Sequence, residues 1–358
     1  MMAADRKIRE TKSIRGGERP ATIKDVALEA GVSVSSVSRA LNGGANTSSG
    51  ALDRILRAAK KLGFEPNPAA QTLRSRPTKT VGCILSDISN PIFAAIINAA
   101  EEELQAADYQ MMIGSTRHDP HRELSFLSAL RRRRPDGLLI MAGEDSHAEV
   151  VDMLNAFGAA RVCIDRVLPG VPTVRADHRS GAVHATSYLI GLGHTRIALL
   201  MSSKTLLPGS ERLAGYEEAH RAAGIAVDER LVRPHQIASH FAFSEFRQLL
   251  SMDDPPTAVI TLGTRMLAGV LQAINSAGLR IPDDISVVSV GETDLACYAT
   301  PAISTLTWDY AELGRVGARM LIDTLAGGAP QTNVVLPTQF ITRASCAPPR
   351  PAATRRAG

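Results

Sequence analysis

An alternation of apolar runs and amphipathic segments begins at Thr80 and constrains the fold more than any other feature of the chain. The run TVGCILS precedes an amphipathic segment that starts at Pro91, and further apolar runs follow in YQMMIGST, DGLLIMAG, RVCIDR, RIALLMSS, TAVITLG and DISVVSVG. Buried strands separated by helices are typical of doubly wound parallel sheets. Because residues 80–346 are too long for one sheet, we expect two lobes with a ligand cleft at the carboxyl ends of the strands.

Composition and charge narrow the class of protein. The 358 residues are 44% hydrophobic and 21% charged, which is typical of a soluble protein of two or three domains. The formal charge of +4 does not by itself indicate a nucleic-acid partner, but the first 80 residues are visibly basic and the rest is near balance. We find neither a secretory signal nor an apolar run of membrane-spanning length, so a cytoplasmic protein without membrane attachment is expected.

The four cysteines follow no metal-binding or disulfide pattern. Cys83 and Cys163 lie inside apolar runs, so we expect them to be buried thiols. The sequence HDPH at 118–121 is interpreted as a surface turn rather than a metal site, and RRRR at 131–134 as a solvated helix end. GLGHTR lacks the third glycine of a dinucleotide-binding loop and precedes a strand. No cofactor or metal is therefore expected.

Three short helical segments precede the alternating region. Thr22 and Asp25 form a variant of the capping box, and Gly31 ends the first helix, whose apolar face holds Ile23, Val26, Ala27 and Ala30. Ser33 can cap a second helix that ends near Leu41. A third helix is predicted for residues 49–62, with apolar positions at Leu52, Ile55, Leu56, Ala59 and Leu62. Three helices of this size predict a small bundle.

The segment FEPNPAAQTLRSRPTKT, which follows the bundle, has the prolines and basic residues of a linker. Residues 69–74 are long enough for one or two helical turns. A helix that short is only marginally stable alone, so it needs a partner or a surface to fold against.

The second helix, in GVSVSSVSRALNGG, is unusually rich in serine, a residue that is an indifferent helix former. A helix, a glycine-containing turn and a second helix make the helix-turn-helix signature. The longer stretch TIKDVALEAGVSVSSVSRALNGG resembles the DNA-binding headpiece of the LacI/GalR family of bacterial transcriptional regulators. PNPAAQTLRS resembles the hinge of that family, and VGCILSDISNPIFAAII, RRRRPDGLLI, IGLGHTRIALL, ERLAGYEEA and IPDDISVVSV resemble its core in the same order. The resemblance covers residues 21–345.

The resemblance implies an N-terminal all-α helix-turn-helix headpiece and an α/β core of two lobes, like a type I periplasmic binding protein, each lobe a doubly wound parallel sheet. We predict a disordered basic arm at residues 1–19, the headpiece at 20–66, the hinge at 67–79, the core at 80–346 and a disordered tail at 347–358. The N-lobe is expected to comprise about residues 80–176 and 310–337, and the C-lobe about residues 177–306 and 338–346.

The family resemblance also implies which headpiece residues contact DNA. Small polar side chains let a recognition helix approach base edges in the major groove. Val34 and Ser35 match the base-discriminating positions, and Arg39 lies on the same face. The side chains placed for phosphate contacts are Thr22, Ser33, Ser36, Asn42 and Ser48. Thr22 and Ser33 are equally well explained as helix caps, whereas Val37 and Leu41 are interpreted as core.

Leu73 is the second informative residue of the DNA-binding part. In the family, paired hinges fold on the operator and insert this leucine into a central minor-groove step, at the cost of unstacking the bases. Asn67, Ala70 and Arg74 flank it and are predicted DNA contacts. The marginal helix of the linker is then a segment that orders only on DNA.

The cleft matches the family less well. Asp165 and Arg212 are at positions that match the polar effector contacts, and Asp87, Asn90, Ile92, Phe93 and His118 are predicted to line the mouth. Three departures are visible: Gly263-Thr264 replaces Asn-Asp, Gly291 with neighbouring Glu292 replaces an aspartate, and Leu206 and Pro208 replace polar residues. We expect Gly291 and Glu292 to contact the effector nonetheless. A less polar effector, such as an organic acid anchored by Arg212, is one hypothesis, and loss of effector response is another.

These features predict a repressor-type regulator that binds a pseudo-palindromic double-stranded DNA operator as a homodimer under control of a small-molecule effector. The C-terminal tail has no leucine heptads and gives no support for a coiled-coil tetramer. The alternative is a small-ligand-binding protein or an enzyme on the same core. No catalytic constellation stands out in the sequence, which favours the regulator.

Overall fold

A computed structural model describes residues 21–41, 49–64, 77–141, 143, 147–201, 203–234, 239–329 and 332–350. The chain divides into two compact units, residues 1–77 and residues 78–358. Each unit has its own hydrophobic core and is described separately.

The first unit is a bundle of three helices, α1 (Ile23–Ala30), α2 (Val34–Leu41) and α3 (Ser49–Leu62). The Asp25 carboxylate accepts hydrogen bonds from the Thr22 backbone N–H (2.8 Å) and hydroxyl (2.7 Å), so the predicted capping interaction is present. Gly31 ends α1 in the left-handed conformation, with φ of 65°. The core contains Val26, Val37 and Ile55, one fully buried side chain from each helix.

The prediction that Leu56 belongs to the apolar face of α3 is wrong. The side chain is 49% exposed, whereas neighbouring Ile55 is fully buried. Successive residues on a helix are separated by about 100°, so a helix in a three-helix bundle buries Ile55 and Ala59 but turns Leu56 to the edge of the packed face.

The second unit contains two sheets of six strands each. All strands of the N-lobe sheet are parallel, in the order β11-β5-β4-β3-β1-β2. They are β1 (Thr80–Leu85), β2 (Gln110–Ser115), β3 (Gly137–Met141), β4 (Ala160–Ile164), β5 (Thr173–Ala176) and β11 (Asn333–Leu336). Its helices are α4 (Pro91–Ala106), α5 (Pro120–Arg133), α6 (Ala148–Asn155) and α12 (Tyr310–Leu325).

The C-lobe sheet has the order β12-β10-β9-β8-β6-β7, in which only β12 is antiparallel to its neighbour. Its strands are β6 (Ile197–Met201), β7 (Val232–Pro234), β8 (Ala258–Leu262), β9 (Ser286–Val290), β10 (Ser304–Thr307) and β12 (Gln339–Ile341). Its helices are α7 (His178–Gly191), α8 (Leu207–Ala222), α9 (Ser239–Leu250), α10 (Thr264–Ser276) and α11 (Asp294–Tyr298).

The chain passes between the lobes three times, after β5, after β10 and after β11. The last part of the chain therefore completes both sheets. Helix α12 packs on α4, and a Cβ at Gly314 would collide with the backbone carbonyl of Ile96. The N-lobe is thus closed by a helix encoded far from its other elements.

The fold class predicted from the sequence is confirmed. Cys83 and Cys163 are buried, and Arg131–Arg134 lie exposed at the end of α5, as expected. Within the described ranges, no helix is long and apolar enough to cross a membrane.

Two predicted boundaries need correction. The hinge does not extend to residue 79, because the backbone N–H groups of Thr78 and Lys79 donate to the Asp136 carboxylate at 2.9 and 2.7 Å. The tail is not free from residue 347, because the Ala347 N–H donates to Ser286 Oγ (3.1 Å) and Arg350 contacts Asp284 at 2.8 Å. The predicted arm and residues 351–358 lie outside the described residues.

Candidate DNA-binding surface and effector cleft

The start of α2 presents small side chains to solvent. Ser33 Oγ accepts a hydrogen bond from the Ser36 backbone N–H (3.1 Å) and lies within hydrogen-bond distance of the Ser35 and Ser36 hydroxyls, at 2.8 and 2.9 Å. Ser33 therefore caps the helix. Val34 is 41% exposed although it is apolar, and Ser35 is exposed beside it. A solvent-facing valine next to a serine is a surface suited to reading base edges, where an apolar group can contact a thymine methyl.

The other predicted DNA contacts are described to different extents. Thr22 is exposed at the start of α1, and Ser36 is half-buried. The backbone of Arg39 is helical, but its side chain is outside the description. Val37 is buried and Leu41 packs against the core, as predicted. The predicted contacts that lie outside the described residues are Asn42, Ser48, Asn67, Ala70, Leu73 and Arg74.

A cavity of about 730 Å³ lies between the N-lobe and the C-lobe. It is bordered by the segments that follow β1, β2 and β4 in the N-lobe and β8 in the C-lobe, so it lies at the carboxyl ends of the parallel strands. This is where an open α/β sheet places its ligand.

The structure brings seven of the nine predicted effector contacts together at this cavity. They are Asp87, Asn90, Ile92, Phe93, His118, Asp165 and Arg212. Gly291 and Glu292 do not border it. Glu292 instead pairs with Arg343 at 2.7 Å and accepts a hydrogen bond from Thr305 Oγ1 at 3.3 Å. Because this ion pair turns the carboxylate toward the segment after β12, the prediction that Glu292 contacts the effector does not match the geometry.

Three buried side chains form a connected network at the inner wall of the cleft. Asp165 Oδ1 accepts hydrogen bonds from His178 Nε2 (3.0 Å) and from the Ala176 backbone N–H (3.0 Å). Arg212 Nη2 lies 3.1 Å from His178 Nδ1. A guanidinium can only donate, so Nδ1 is the acceptor and the proton of the imidazole is on Nε2. His178 is therefore a neutral bridge between a carboxylate and a guanidinium.

Burial and charge agree with these protonation states. Burial lowers the pKa of His178, and Arg212 lowers it further, against the opposing effect of Asp165. Burial opposes ionisation of Asp165, but His178 and the Ala176 N–H outweigh it and lower the pKa of the carboxyl. Burial also lowers the pKa of Arg212 to about 10, which leaves the guanidinium charged at neutral pH.

Trp308 forms the aromatic part of the inner wall and was missed by the sequence analysis. Its ring lies edge-on to His178 and to Tyr310, with centroid separations of 5.0 Å each. The guanidinium of Arg212 lies 5.3 Å from the Trp308 ring centroid, within the range of a cation–π interaction. Trp308 follows β10, a strand that the apolar pattern does not reveal, but it is the only tryptophan of the chain, which is the one signal that could have singled it out.

Some donors in the inner cleft have no protein partner. Within the described part of the core, Ser86 Oγ, Arg212 Nε and Trp308 Nε1 are buried without a hydrogen bond, and all three residues border the cavity. Buried polar groups of this kind are costly unless something binds them. They give the inner cleft a capacity to bind oxygen atoms of a ligand.

An ion pair joins the two lobes at the mouth of the cleft. Arg265 Nη2, on α10 of the C-lobe, lies 2.8 Å from Asp87 Oδ2 in the N-lobe and also donates to Ser89 Oγ. Asp87 Oδ1 accepts hydrogen bonds from the Ser89 N–H (3.0 Å) and hydroxyl (2.6 Å). Burial opposes ionisation of Asp87, but Ser89, Arg265 and His118 outweigh it and lower the pKa of the carboxyl. Arg265 was not predicted as a site residue.

The three departures from the family pattern have different positions in the cleft. Gly263, Leu206 and Pro208 border the cavity, whereas Gly291 does not. Leu206 and Pro208 thus place apolar side chains on the C-lobe wall at positions where the family pattern has polar residues. Among the described residues, no group of three metal-binding side chains is present.

Comparison with known proteins identifies both parts of the chain. Residues 22–67 match the family described as bacterial regulatory proteins, lacI family, and residues 186–346 match the periplasmic binding protein-like domain. The chain is 32% identical over 326 residues to the HTH-type transcriptional regulator GalR of Escherichia coli K12, covering 89% of this chain and 94% of GalR.

Solved structures agree with the sequence match. The lac repressor dimer bound to operator and the anti-inducer ONPF superposes with a TM-score of 0.77 at 25% identity, covering 92% of this chain and all of that one. The transcriptional regulator CelR in its cellobiose complex gives 0.69 at 29% identity, covering 91% and 99%. With a DNA-binding headpiece and a two-lobed core matched over nearly its whole length, the chain belongs to the lacI family of bacterial regulatory proteins.

Proposed function

We propose that this protein is a sequence-specific transcriptional repressor that binds a pseudo-palindromic operator as a homodimer in the cytoplasm, under control of a small molecule in the cleft. The observation that carries the proposal is the presence, in one chain, of an exposed Val34–Ser35 face on a recognition helix and a ligand-sized cavity between two lobes. The operator-bound dimer of the related lac repressor supports the same arrangement.

Each half of the operator is read by α2 of one protomer. Val34 and Ser35 approach base edges, while Thr22 and Ser33, at the N-termini of α1 and α2, lie against phosphates. Residues 67–77 serve as the hinge, and Leu73 enters the minor groove between the half-sites. The dyad symmetry of the dimer imposes the pseudo-palindromic form of the operator.

Exposed apolar side chains on α11 support self-association. Tyr298 is 80% exposed and Leu295 is 41% exposed, on a helix of five residues at the surface of the C-lobe. Large aromatic side chains are rarely left in water and are over-represented at the centres of interfaces. A second copy of the chain is the occupant that a symmetric regulator requires.

Ligand binding controls the operator through the angle between the lobes. The cavity touches both lobes, so a ligand that contacts both favours a closed arrangement over an open one. The three crossing segments transmit the change in angle to the hinges of the dimer. The largest change in operator affinity that the ligand can cause is set by the difference between its affinities for the closed and the open arrangement.

The buried Asp165–His178 pair is assigned to binding rather than to catalysis. His178 uses both ring nitrogens, one on Asp165 and one on Arg212, so neither is left to accept a proton from a substrate. Through the hydrogen bond to His178, the pair holds the guanidinium of Arg212 in position at the cleft. We therefore assign the protein no enzymatic activity.

A gel-shift titration tests the proposal. Full-length protein is titrated on the DNA upstream of its own gene and on random duplex of equal length, at about 150 mM salt. We expect a preference of at least about a thousandfold for one upstream site, as specific operators show. A Val34→Ala variant is expected to weaken specific binding while leaving binding to random duplex unchanged. Equal affinity of the wild-type protein for both DNAs contradicts the proposal.

A further inference from the structure

The mouth of the cleft carries more positive than negative charge. Arg117, Arg122 and Arg265 border the cavity there, whereas Asp87 is the carboxylate that borders it on the same side. Arg122 lies 3.7 Å from Asp119, a long contact between two largely exposed side chains. Within the described ranges, no ion pair is found for Arg117, which is exposed and follows the end of β2. The mouth therefore retains an unmatched cationic charge after its ion pairs are formed.

Arg265 is the cation best placed to act on a ligand. It projects from the first turn of α10 across the cleft to the N-lobe, and 43% of its side chain is exposed. Its guanidinium is held by Asp87 and Ser89 and so is preorganised in one direction. A guanidinium in this setting binds a carboxylate or phosphate through parallel hydrogen bonds.

Asp87 is a carboxylate already in contact with Arg265. It therefore occupies the position that the acidic group of a ligand would take. The pair is partly exposed, with 23% of the Asp87 side chain accessible, and exposed ion pairs of this kind are weak. A ligand acid that brings additional contacts in the cavity can replace Asp87 at little cost.

The rest of the cavity fits the body of such a ligand. Phe93, Leu206, Pro208 and Trp308 supply apolar walls, so a ring or short aliphatic chain can pack between the lobes. The inner donors on Arg212 and Trp308 can bind an oxygen at the far end of the molecule. The cavity thus has an apolar middle, polar groups at its inner end and a cationic mouth.

We propose that the effector is a small organic anion whose carboxylate or phosphate binds Arg265 at the mouth of the cleft and displaces Asp87. The proposal rests on the proposed function, since it names the chemical class of the effector in that cleft. Arg265 is the specificity-determining residue, and Asp87 is its competitor when no ligand is bound. Arg117 adds a second positive charge on the N-lobe side.

The test uses full-length protein and matched pairs of acidic and neutral probes. Glucose 6-phosphate is compared with glucose, and phenylacetate with phenylacetamide. Trp308, the single tryptophan, borders the cavity, so its fluorescence reports occupancy directly, and calorimetry gives the affinity. The two pairs separate a phosphate from a carboxylate as the acidic group.

Variants at the mouth are expected to change affinity in opposite directions. Arg265→Gln loses a charge-assisted hydrogen bond and is expected to weaken binding of the acidic probe at least about tenfold. Asp87→Asn removes the competitor and is expected to strengthen it about two- to fivefold, the range that exposed ion pairs contribute. Arg280→Gln, at an exterior arginine paired with Asp284, is the matched control and is expected to leave affinity unchanged.

The outcomes decide the proposal. An acidic probe that binds while its neutral partner does not, with the opposite effects at Arg265 and Asp87, supports it. Equal binding of the neutral partner, insensitivity to Arg265→Gln, or binding of neither acid overturns it. The proposed function is tested separately, because operator binding by gel shift needs no probe, and a protein that prefers its operator but ignores acids retains its assignment as a regulator.

Discussion

Replacing His178 with leucine is expected to destabilise the core by about 3–5 kcal/mol, the cost of breaking a buried charged network by removing one member. His178 is fully buried and bridges Asp165 and Arg212, which are each 8% exposed. Leucine fills a comparable volume but offers no donor to the carboxylate and no acceptor to the guanidinium.

The magnitude follows from the two hydrogen bonds that are lost. Each joins the imidazole to a charged group, and such bonds contribute about 1.5–3 kcal/mol. Their sum is about 3–6 kcal/mol, and the Ala176 N–H still holds Asp165 in the variant, so the upper end of that range is not reached.

Urea unfolding followed by Trp308 fluorescence measures the effect. The Trp308 ring centroid lies 5.0 Å from that of His178, so the signal comes from the perturbed region itself. Protein concentration is kept fixed, because dimerisation contributes to apparent stability. His184→Leu, at an exposed position on the same helix, is the matched control and is expected to change stability by less than about 0.5 kcal/mol.

A loss of less than about 1 kcal/mol in His178→Leu would refute the reasoning, since it would show that the network contributes no more than one ordinary hydrogen bond. The double variant with Asp165→Asn sharpens the test. If the two residues act through one another, the double variant loses less than the sum of the single losses. Strict additivity would show that they are independent.

Three further predictions concern pH, DNA and assembly. Burial lowers the pKa of His178 and of His220, so on acidification the unfolded chain takes up protons before the folded chain does. The contribution of each imidazole to the free energy of unfolding is therefore complete above about pH 6.5 and falls by up to about 2 kcal/mol toward pH 5, as measured by urea unfolding. Leu73→Ala is expected to weaken operator binding at least about tenfold more than binding to random duplex, measured by gel shift. Tyr298→Asp is expected to weaken the dimer at least about tenfold, measured by light scattering.

Each of these has an outcome that contradicts it. An unchanged pH profile in a variant that lacks both histidines would show that other groups cause the acid lability. Equal losses on operator and random DNA would exclude the hinge role of Leu73. A dimer unaffected by Tyr298→Asp would place the interface elsewhere. His184→Leu, at an exposed position, is again the control and is expected to leave the dimer unchanged.

Much of the fold could be predicted from local patterns. The continuous apolar runs of β1, β3, β6, β8 and β9 are strands buried on both faces of their sheets. The strands that the pattern did not reveal, such as β5, β7, β11 and β12, have three or four residues and include three of the four sheet edges. A strand that short has too few residues to show a period.

Only part of the cleft could be predicted, because a local sequence pattern identifies some of its residues and not others. Asp165 and Arg212 lie in motifs that the family resemblance identifies, and both border the cavity. The residues that surround Arg265 and Trp308 in the sequence do not reveal their roles, because these depend on a contact with the opposite lobe or with buried groups distant in sequence. Glu292 shows the converse: the family resemblance places it next to an effector contact, but Arg343, 51 residues later in the chain, pairs with its carboxylate.

The three crossings between the lobes have a consequence for how the protein is made. The N-lobe contains β1 to β5, yet its helix α12 and edge strand β11 come from residues beyond 309, after most of the C-lobe. During synthesis the N-lobe therefore begins first, but it cannot be completed until α12 and β11 have been made. Until then the surface of α4 that packs against α12 stays uncovered. A nonsense mutation after β10 would leave the headpiece and most strands intact in sequence, and would nevertheless release a chain with neither lobe finished.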